Sequence, residues 1–430
     1  MTRPQLAEFM RRMESDSVAI IPSAPEATRS NDTRYRYRQD SDFYYLTGFD
    51  EPEAIAVVAP SRDEGKFTLF VRPRDPEHET WEGRRAGVEG AKERYAAEAA
   101  FPVAEFREKI SELINGARTV YYRLGVRSDL DEVLVKQINE MRTRSRLYVA
   151  PDSITDPGAI LGEMRLVKSD EEIELMQRAA DIAAEAHVEA MKAVRPGMME
   201  YEIEALVEYH FRRSGASAPA YGSIVGGGAN ATILHYKTNE DELRDGDLLL
   251  LDAGAEFRGY ASDITRTFPV GGRFSEPQRE IYEAVLAAQT QCIEMVKPGV
   301  TMDELNNRAI RILTERMVSL GLLEGDVEKL IEEKTYRRFF MHGIGHFLGL
   351  DVHDAGRYQL EGKSRPLPVG VVITVEPGLY VAEDAEGAPD KYRGIGVRIE
   401  DDVLVTADGH RVLTSKVPKL IDEIEKLSAR

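Results

Sequence analysis

Short apolar runs alternate with stretches of helical periodicity over the first part of the chain. Three such runs, at residues 18–21, 54–58 and 67–71, have the length of buried strands. Strands that alternate with amphipathic helices are typical of α/β layer structures. The pattern therefore predicts a small α/β domain, and no obvious cluster of catalytic side chains lies within it.

A long amphipathic helix is predicted to begin after Ser169, where Ser-Asp-Glu-Glu has the form of a capping box. Its periodicity continues to about Val194, and Arg195-Pro196-Gly197 then ends it. We place a domain boundary just before this helix. The predicted organisation is an N-terminal domain at residues 1–168 and a second domain at residues 169–430.

The second domain contains a weak internal repeat. Residues 195–203 align with 297–305, residues 245–254 with 369–378, and residues 259–265 with 396–402. Each half has a long helical pattern followed by strand-like runs that end near acids: Asp252 and Asp263 in one half, Glu376 and Glu400 in the other. Chance recurrence could explain any one alignment, but three in the same order favour two helix-helix-strand-strand units. A pseudo-two-fold between such units would bring the four acids to a shared centre.

Four carboxylates in a core repel one another unless cations neutralise them. Two divalent ions would balance their charge, and oxygen ligands favour ions such as Mn²⁺, with Co²⁺ and Zn²⁺ admitted by an added imidazole. Three histidines, His342, His346 and His353, cluster at residues 341–353. The first two have the spacing of a zincin, but no Glu follows His342 and the intervening glycines disfavour a helix, which excludes that mechanism.

Other histidines and glycines carry weaker signals. His235 lies between a glycine-rich segment and the first acidic strand, so a functional role and a chance position are about equally supported. We interpret His187, His210 and His410 as core histidines. Gly226-Gly227-Gly228 lacks the Lys and Ser/Thr of a phosphate loop and is interpreted as a flexible connection.

Composition narrows the class of protein. The 430 residues are 42% hydrophobic and 30% charged, which is ordinary for a soluble globular chain. The 56 Lys and Arg residues against 75 Asp and Glu give a net charge of −19, which disfavours nucleic acid and anionic membranes as partners. No apolar run approaches a membrane span. The lone Cys292 is predicted to be a core residue, and a cytoplasmic location is expected.

These motifs together resemble the metal-dependent pita-bread peptidases, most closely those of the aminopeptidase P (Xaa-Pro aminopeptidase) type, over nearly the whole chain. The matching segments are 233–236, 252–254, 263–269, 342–346, 349–354, 374–378 and 398–402. The resemblance implies an α/β fold with a pita-bread catalytic domain. It also implies removal of the first residue from peptides with proline second, by attack of a hydroxide that bridges two metal ions.

The resemblance also implies roles for individual residues. Five would bind the two ions, with Asp263 and Glu400 bridging them: Asp252, Asp263, His346, Glu376 and Glu400. His235 and His353 would contact the substrate and stabilise the oxyanion. His342 would line the proline site. Glu376 would pass a proton to the leaving nitrogen, and Arg398 would orient Glu400 or the substrate.

The N-terminal domain separates close relatives. Residues 36–54 resemble the aminopeptidase P N-terminal domain, which methionine aminopeptidases generally lack. Trp81 lies in a similar stretch and is predicted either to wall the site of a neighbouring subunit in a dimer or tetramer, or simply to pack locally. Prolidase is the alternative enzyme. A non-catalytic binding module and a metal-free amidinohydrolase are disfavoured because every expected ligand is present.

Overall fold

A computed structural model describes residues 3–428 of the chain, which divides into two compact units, Met1–Met164 and Arg165–Arg430. The first unit is built on a mixed six-stranded sheet of order β6-β5-β4-β1-β7-β8. Its elements, in chain order and including the helix α7 that continues to Leu166, are α1 (Pro4–Arg12), β1 (Ser17–Pro22), β2 (Thr28–Ser30), β3 (Thr33–Arg34), α2 (Ser41–Thr47), β4 (Ile55–Val58), β5 (Phe67–Val71), α3 (Pro76–Glu82), α4 (Gly87–Tyr95), β6 (Ala99–Pro102), α5 (Phe106–Ile114), β7 (Thr119–Tyr121), α6 (Ser128–Thr143), β8 (Ser153–Thr155) and α7 (Gly158–Leu166).

The predicted apolar runs form the middle of this sheet as β1, β4 and β5. Their side chains are buried on both faces of the sheet, and on one of these faces they pack against α5 and α6. Val57, Phe70 and Ile110 are examples of this core. The prediction of a small α/β domain is confirmed.

The second unit holds two layers of long helices and short strands. Its elements are α8 (Asp170–Ala193), α9 (Glu200–Arg213), β9 (Ala218–Pro219), β10 (Ile224–Gly227), β11 (Leu248–Asp252), β12 (Ala255–Phe257), β13 (Tyr260–Ala261), β14 (Thr265–Pro269), α10 (Glu276–Met295), α11 (Met302–Ser319), α12 (Val327–Glu332), β15 (Gln359–Leu360), β16 (Lys363–Ser364), β17 (Val372–Val375), β18 (Gly378–Val381), β19 (Ile395–Arg398), β20 (Asp401–Thr406), β21 (Gly409–Val412) and α13 (Ile421–Ser428).

The capping box at Ser169 begins α8, as predicted. The Ser169 N–H donates to Glu172 Oε2 at 2.9 Å, so this backbone N–H at the start of the helix has a hydrogen-bond partner. A second box at Ser275 begins α10 in the same way. The helix pairs α8–α9 and α10–α11 cover the strands, and Cys292 is fully buried among them, as predicted for a core cysteine.

The internal repeat is present in the strand pairing. β11 pairs antiparallel with β14, and β17 pairs antiparallel with β20. The hairpins β12–β13 and β18–β19 stand between them in each half. Contacts also cross between the halves, since the Asp263 N–H donates to Asp402 Oδ2 and the Glu400 N–H donates to Thr265 O, both at 3.1 Å. The predicted two-fold arrangement is therefore confirmed.

The interpretation of Gly226 and Gly227 as a flexible connection is wrong. Both belong to β10 and pair with Leu250 and Leu249 of β11. A turn of 3₁₀ helix, Gly228–Thr232, follows directly.

Among the described residues no helix has the length and apolar character that crossing a membrane requires.

Candidate active site

The four predicted carboxylates all line one cavity of about 560 Å³ in the second unit. Asp252 is the last residue of β11, and Glu376 directly follows β17. Asp263 and Glu400 stand just before β14 and β20. Each acid thus sits at a strand end that the repeat brings to the centre. The other residues predicted for the second domain, His235, His342, His346, His353 and Arg398, line the same cavity.

Trp81 lies in the first unit, on α3, and 86% of its surface is exposed. It therefore does not pack locally, which rules out one of the two predictions made for it. Its role as part of a neighbouring subunit's site stays a prediction.

Three of the predicted metal ligands come together closely. Asp263, His346 and Glu400 each offer one ligand atom, and these atoms lie within 4.8 Å of one another. His346 Nε2 is 3.5 Å from Asp263 Oδ2 and 3.5 Å from Glu376 Oε1. The other ring nitrogen, Nδ1, lies 3.0 Å from Phe347 O. Because a carbonyl only accepts, Nδ1 carries the proton there and Nε2 is directed to the carboxylates as a ligand atom.

Glycine permits the close approach that places His346. A Cβ on Gly345 would lie 2.0 Å from Thr374 O, so no larger residue fits between the histidine and β17. The Thr374 N–H in turn donates to His346 O at 2.9 Å. Gly345, one of the two glycines between His342 and His346, is thus explained by close packing against β17.

Without a cation between them, the clustered acids hold their protons strongly. Burial raises the pKa of Asp252, raises that of Glu400 well above its ordinary value, and raises that of Glu376 to about 7. Burial would lower the pKa of His346, but Asp263 and Glu376 raise it to about 9. An uncompensated cluster of this kind, with hard oxygen donors and one imidazole, fits divalent metal ions.

Metal binding is expected to release protons. At pH 7 His346 and a share of the Glu376 carboxyl carry protons that a bound cation must displace, so apparent affinity should rise about ten-fold per pH unit for each proton released. Calorimetric titration with Mn²⁺ in two buffers of different ionisation enthalpy measures the number of protons released on binding. The release should fall once the pH exceeds about 9, the pKa of His346. A binding heat independent of the buffer at pH 7 would contradict the assignment.

Arg398 holds a different carboxylate from the predicted one. Its guanidinium donates to Asp252 Oδ2 at 2.6 Å, to Tyr380 Oη at 3.1 Å and to Thr265 Oγ1 at 3.1 Å. Of the two predicted roles, orienting Glu400 is not supported by a direct hydrogen bond, since the carboxylate that Arg398 binds belongs to β11. It reaches Glu400 only through Thr265, whose hydroxyl donates to Glu400 Oε2 at 2.6 Å. A role toward the substrate stays a prediction.

Tyr221 was not predicted from the sequence. Its phenol lies 2.6 Å from Asp252 Oδ1 and also contacts Asp263 Oδ1, so it ties the two acids of the first half together. Burial and the neighbouring acids raise its pKa well above the ordinary value, which keeps the phenol protonated. No spacing pattern marks this residue, because it stands between short elements and acts alone.

The remaining histidines are arranged around the metal ligands. The His353 ring lies 4.2 Å from that of His346, centroid to centroid. His342 Nε2 is 2.8 Å from Tyr380 Oη, and burial lowers the pKa of His342 to about 4. Burial also lowers the pKa of His353. Both rings are therefore neutral at pH 7. His235 is exposed at the cavity, on the segment that follows the 3₁₀ turn.

A buried glutamate organises the segment that carries His235. Glu200, the first residue of α9, accepts hydrogen bonds from the Gly227 N–H at 2.8 Å, the Asn230 side chain at 3.0 Å, the Asp241 N–H at 3.0 Å and the Tyr236 hydroxyl at 2.8 Å. These four bonds tie both ends of the segment to one carboxylate. Sequence reasoning missed this role, since Glu200 looks like an ordinary first-turn acid.

A second buried acid fixes the segment that carries His353. Asp354 accepts from Lys168 Nζ at 2.9 Å and from the Arg165 guanidinium at 2.6 Å. Its backbone N–H donates to Phe347 O at 2.9 Å. The two cations lower the pKa of Asp354 although burial opposes them. The segment from His346 to His353 is thus held in one conformation from both ends.

Comparisons with known proteins agree along the chain. The family model described as metallopeptidase family M24 matches residues 174–407, and the model described as the aminopeptidase P N-terminal domain matches residues 3–121. The Xaa-Pro aminopeptidase of Escherichia coli is 47% identical over 429 residues, which cover 98% of this chain and 97% of that protein.

Solved structures are equally similar. The aminopeptidase PepP of Pseudomonas aeruginosa superposes with a TM-score of 0.97 at 48% identity, covering 99% of this chain and 96% of that one. Zinc-substituted Escherichia coli aminopeptidase P, in complex with product, superposes with a TM-score of 0.96 at 46% identity and the same coverage.

Proposed function

Because this chain belongs to metallopeptidase family M24 and carries the aminopeptidase P N-terminal domain, we propose that it releases the first residue from peptides whose second residue is proline. The family predicted from the sequence is confirmed, and so is the prediction of a metal-dependent peptidase. The observation that carries the proposed chemistry is the set of four acids and His346 that line one cavity.

The proposed centre holds two divalent ions on five residues: Asp252, Asp263, His346, Glu376 and Glu400. When bound, such ions polarise a carbonyl and lower the pKa of a water molecule to near neutrality. Mn²⁺ is the proposed metal because carboxylates supply all but one of the ligands, and Co²⁺ and Zn²⁺ suit the same set. Tyr221 and Arg398 would keep Asp252 in place as the metals load.

The protein side chains would handle the proton and the substrate oxygen. Glu376, which lines the cavity and lies 3.5 Å from His346 Nε2, would take a proton and deliver it to the leaving proline nitrogen. His353, neutral at pH 7, would donate an N–H to the oxygen that gains negative charge, and His235 would share that role. His342 would line the site of the substrate proline and contact it with its neutral ring.

Proline in the second position explains a dedicated site. The bond before it is a tertiary amide with no N–H, and the ring fixes φ, so peptidases that bind an extended peptide through its N–H groups fit it poorly.

We propose residues 1–168 and 169–430 as the functional domains and a homo-oligomer as the working form. The cytoplasmic location of the protein stays a prediction.

The deciding experiment removes the metal with a chelator, restores Mn²⁺, and compares a tripeptide with proline second against the matching Xaa-Pro dipeptide. We expect the tripeptide to be cleaved after its first residue only when metal is present, and at least about ten-fold faster than the dipeptide. The control tripeptide has alanine second and should resist cleavage. Preference for the dipeptide would make the protein a prolidase. Failure to cleave either peptide with metal bound would favour a binding module.

A further inference from the structure

Lys237 is a cation of the cavity wall that the proposed chemistry does not use. It stands two residues after His235 and lines the same cavity. Its aliphatic stem lies against Gly222, where a Cβ would be 3.6 Å from Lys237 Cδ and 3.9 Å from Cε. Gly222 directly follows Tyr221, the residue that ties Asp252 to Asp263. The stem of Lys237 therefore packs against the sequence neighbour of a residue that contacts two of the candidate metal ligands.

The ammonium group of Lys237 has no partner within residues 3–428. No carboxylate oxygen lies within 4.0 Å of its Nζ and it makes no hydrogen bond there. The other strong cation of the cavity, Arg398, is already paired with Asp252 at 2.6 Å. Lys237 is thus the basic side chain of the lining that is left to meet a ligand.

The charge of the loaded cavity favours an anionic group at this position. Two divalent ions would balance the four carboxylates, so Arg398 and Lys237 leave an excess of positive charge. A peptide substrate carries an ammonium at one end and a carboxylate at the other. The ammonium would be repelled by Lys237 and the carboxylate attracted to it.

The size of the cavity suits a short peptide. One extended residue spans about 3.3–3.6 Å, so the carboxylate of a tripeptide stands about 7 Å beyond the bond that is cleaved. That length fits within a cavity of about 560 Å³. His235, proposed to meet the substrate carbonyl, is on the same segment, and Glu200 holds this segment through four hydrogen bonds.

We propose that Lys237 binds the C-terminal carboxylate of short peptides and gives the protein a preference for tripeptides with a free carboxyl end. This specificity rests on the proposed function, because it presumes a peptide in the cavity. Lys237 acts on binding rather than on the bond that breaks, so its effect belongs in KM.

The test compares a tripeptide acid with its C-terminal amide, both with proline second, on the Mn²⁺-loaded protein. We expect the wild-type kcat/KM to be about five-fold higher for the acid, which is the size expected of a partly exposed charge pair. In Lys237→Met the acid-to-amide ratio should fall to about one, and in Lys237→Glu below one. Lys363→Met, an exposed lysine on β16 outside the cavity lining, should keep the wild-type ratio.

Binding without turnover gives a second measurement. Calorimetry with the product dipeptide, as acid and as amide, should show the same ratio of Kd values and the same loss in Lys237→Met. A ratio that Lys237→Met leaves unchanged would overturn the proposal. The proposal would also be overturned if Lys237→Met lowered kcat/KM only for substrates whose first residue is Glu and not for those with Gln. That result would mean that Lys237 binds the side chain of the first residue rather than the C-terminal carboxylate. If wild-type protein cleaved neither peptide with metal bound, the proposed function itself would fail.

Discussion

Asp263→Asn is expected to lose bound metal and at least about a thousand-fold in turnover together. Asp263 is among the three residues whose ligand atoms converge, and His346 Nε2 lies 3.5 Å from its Oδ2. An amide has no negative charge and one acceptor oxygen instead of two, so it cannot replace a carboxylate between two cations. Metal content by mass spectrometry and hydrolysis of the proline tripeptide are the two measurements.

His353→Ala is the matched control for this variant. Its ring contacts that of His346 but stands outside the converging set, so the variant should keep its metal while turnover falls. The anchor of the segment, Asp354, is unchanged in it. Full metal content together with wild-type turnover in Asp263→Asn would refute the ligand assignment. Loss of metal from His353→Ala would instead make His353 a ligand.

That the four acids meet in one cavity could be predicted from the sequence, because each stands at the end or just before the start of a strand-like run that recurs in the second half. Asp252 and Glu376 follow such runs, and burial on both faces makes the runs visible. The capping box at Ser169 is equally local and was placed correctly. Features of this kind can be predicted from the sequence because interactions between residues close along the chain determine them.

The supporting contacts could not be predicted because they join elements distant along the chain. Tyr221 meets Asp263 across 42 residues, and Glu200 meets Asp241 across 41. Arg398 illustrates the same limit, since nearness in sequence indicated Glu400, whereas its partner Asp252 is 146 residues away. Which acid an arginine meets is decided by sheet pairing, and a strand pattern gives the face of a residue but not its partner on the next strand.

Behind the site, a fully buried ion pair between Arg266 and Asp401 joins β14 to β20, and Lys419 of the C-terminal segment pairs with the same aspartate. Asp401 accepts from Arg266, Lys419, Gln289 and the Thr414 hydroxyl, each at 2.7 Å. Arg266 also donates to Glu400 O at 2.6 Å. Burial alone would raise the pKa of Asp401, but Arg266 and Lys419 lower it to about 2. Asp401 is therefore ionised at neutral pH.

Asp401→Asn should destabilise the second unit by about 3–5 kcal/mol, because the change leaves the fully buried Arg266 without its counter-charge. The side chain keeps its shape, so the loss measures charge and hydrogen bonding rather than packing. Thermal and denaturant unfolding, followed separately for each transition because two units need not unfold together, measure it. Asp384→Asn, an exposed aspartate with the same change in shape, is the control and should stay within about 0.5 kcal/mol of wild type.

The pH dependence separates this ion pair from a defect in packing. A carboxyl whose folded pKa is lowered from 3.8 to about 2 stabilises the fold fully above pH 4, and this stabilisation is lost as the pH falls through 2. The difference in unfolding free energy between wild type and Asp401→Asn should therefore be constant from pH 7 to 5 and shrink below pH 4. Equal stability at pH 7 would contradict the role of the ion pair, and a difference that persists unchanged at pH 2 would attribute it to packing.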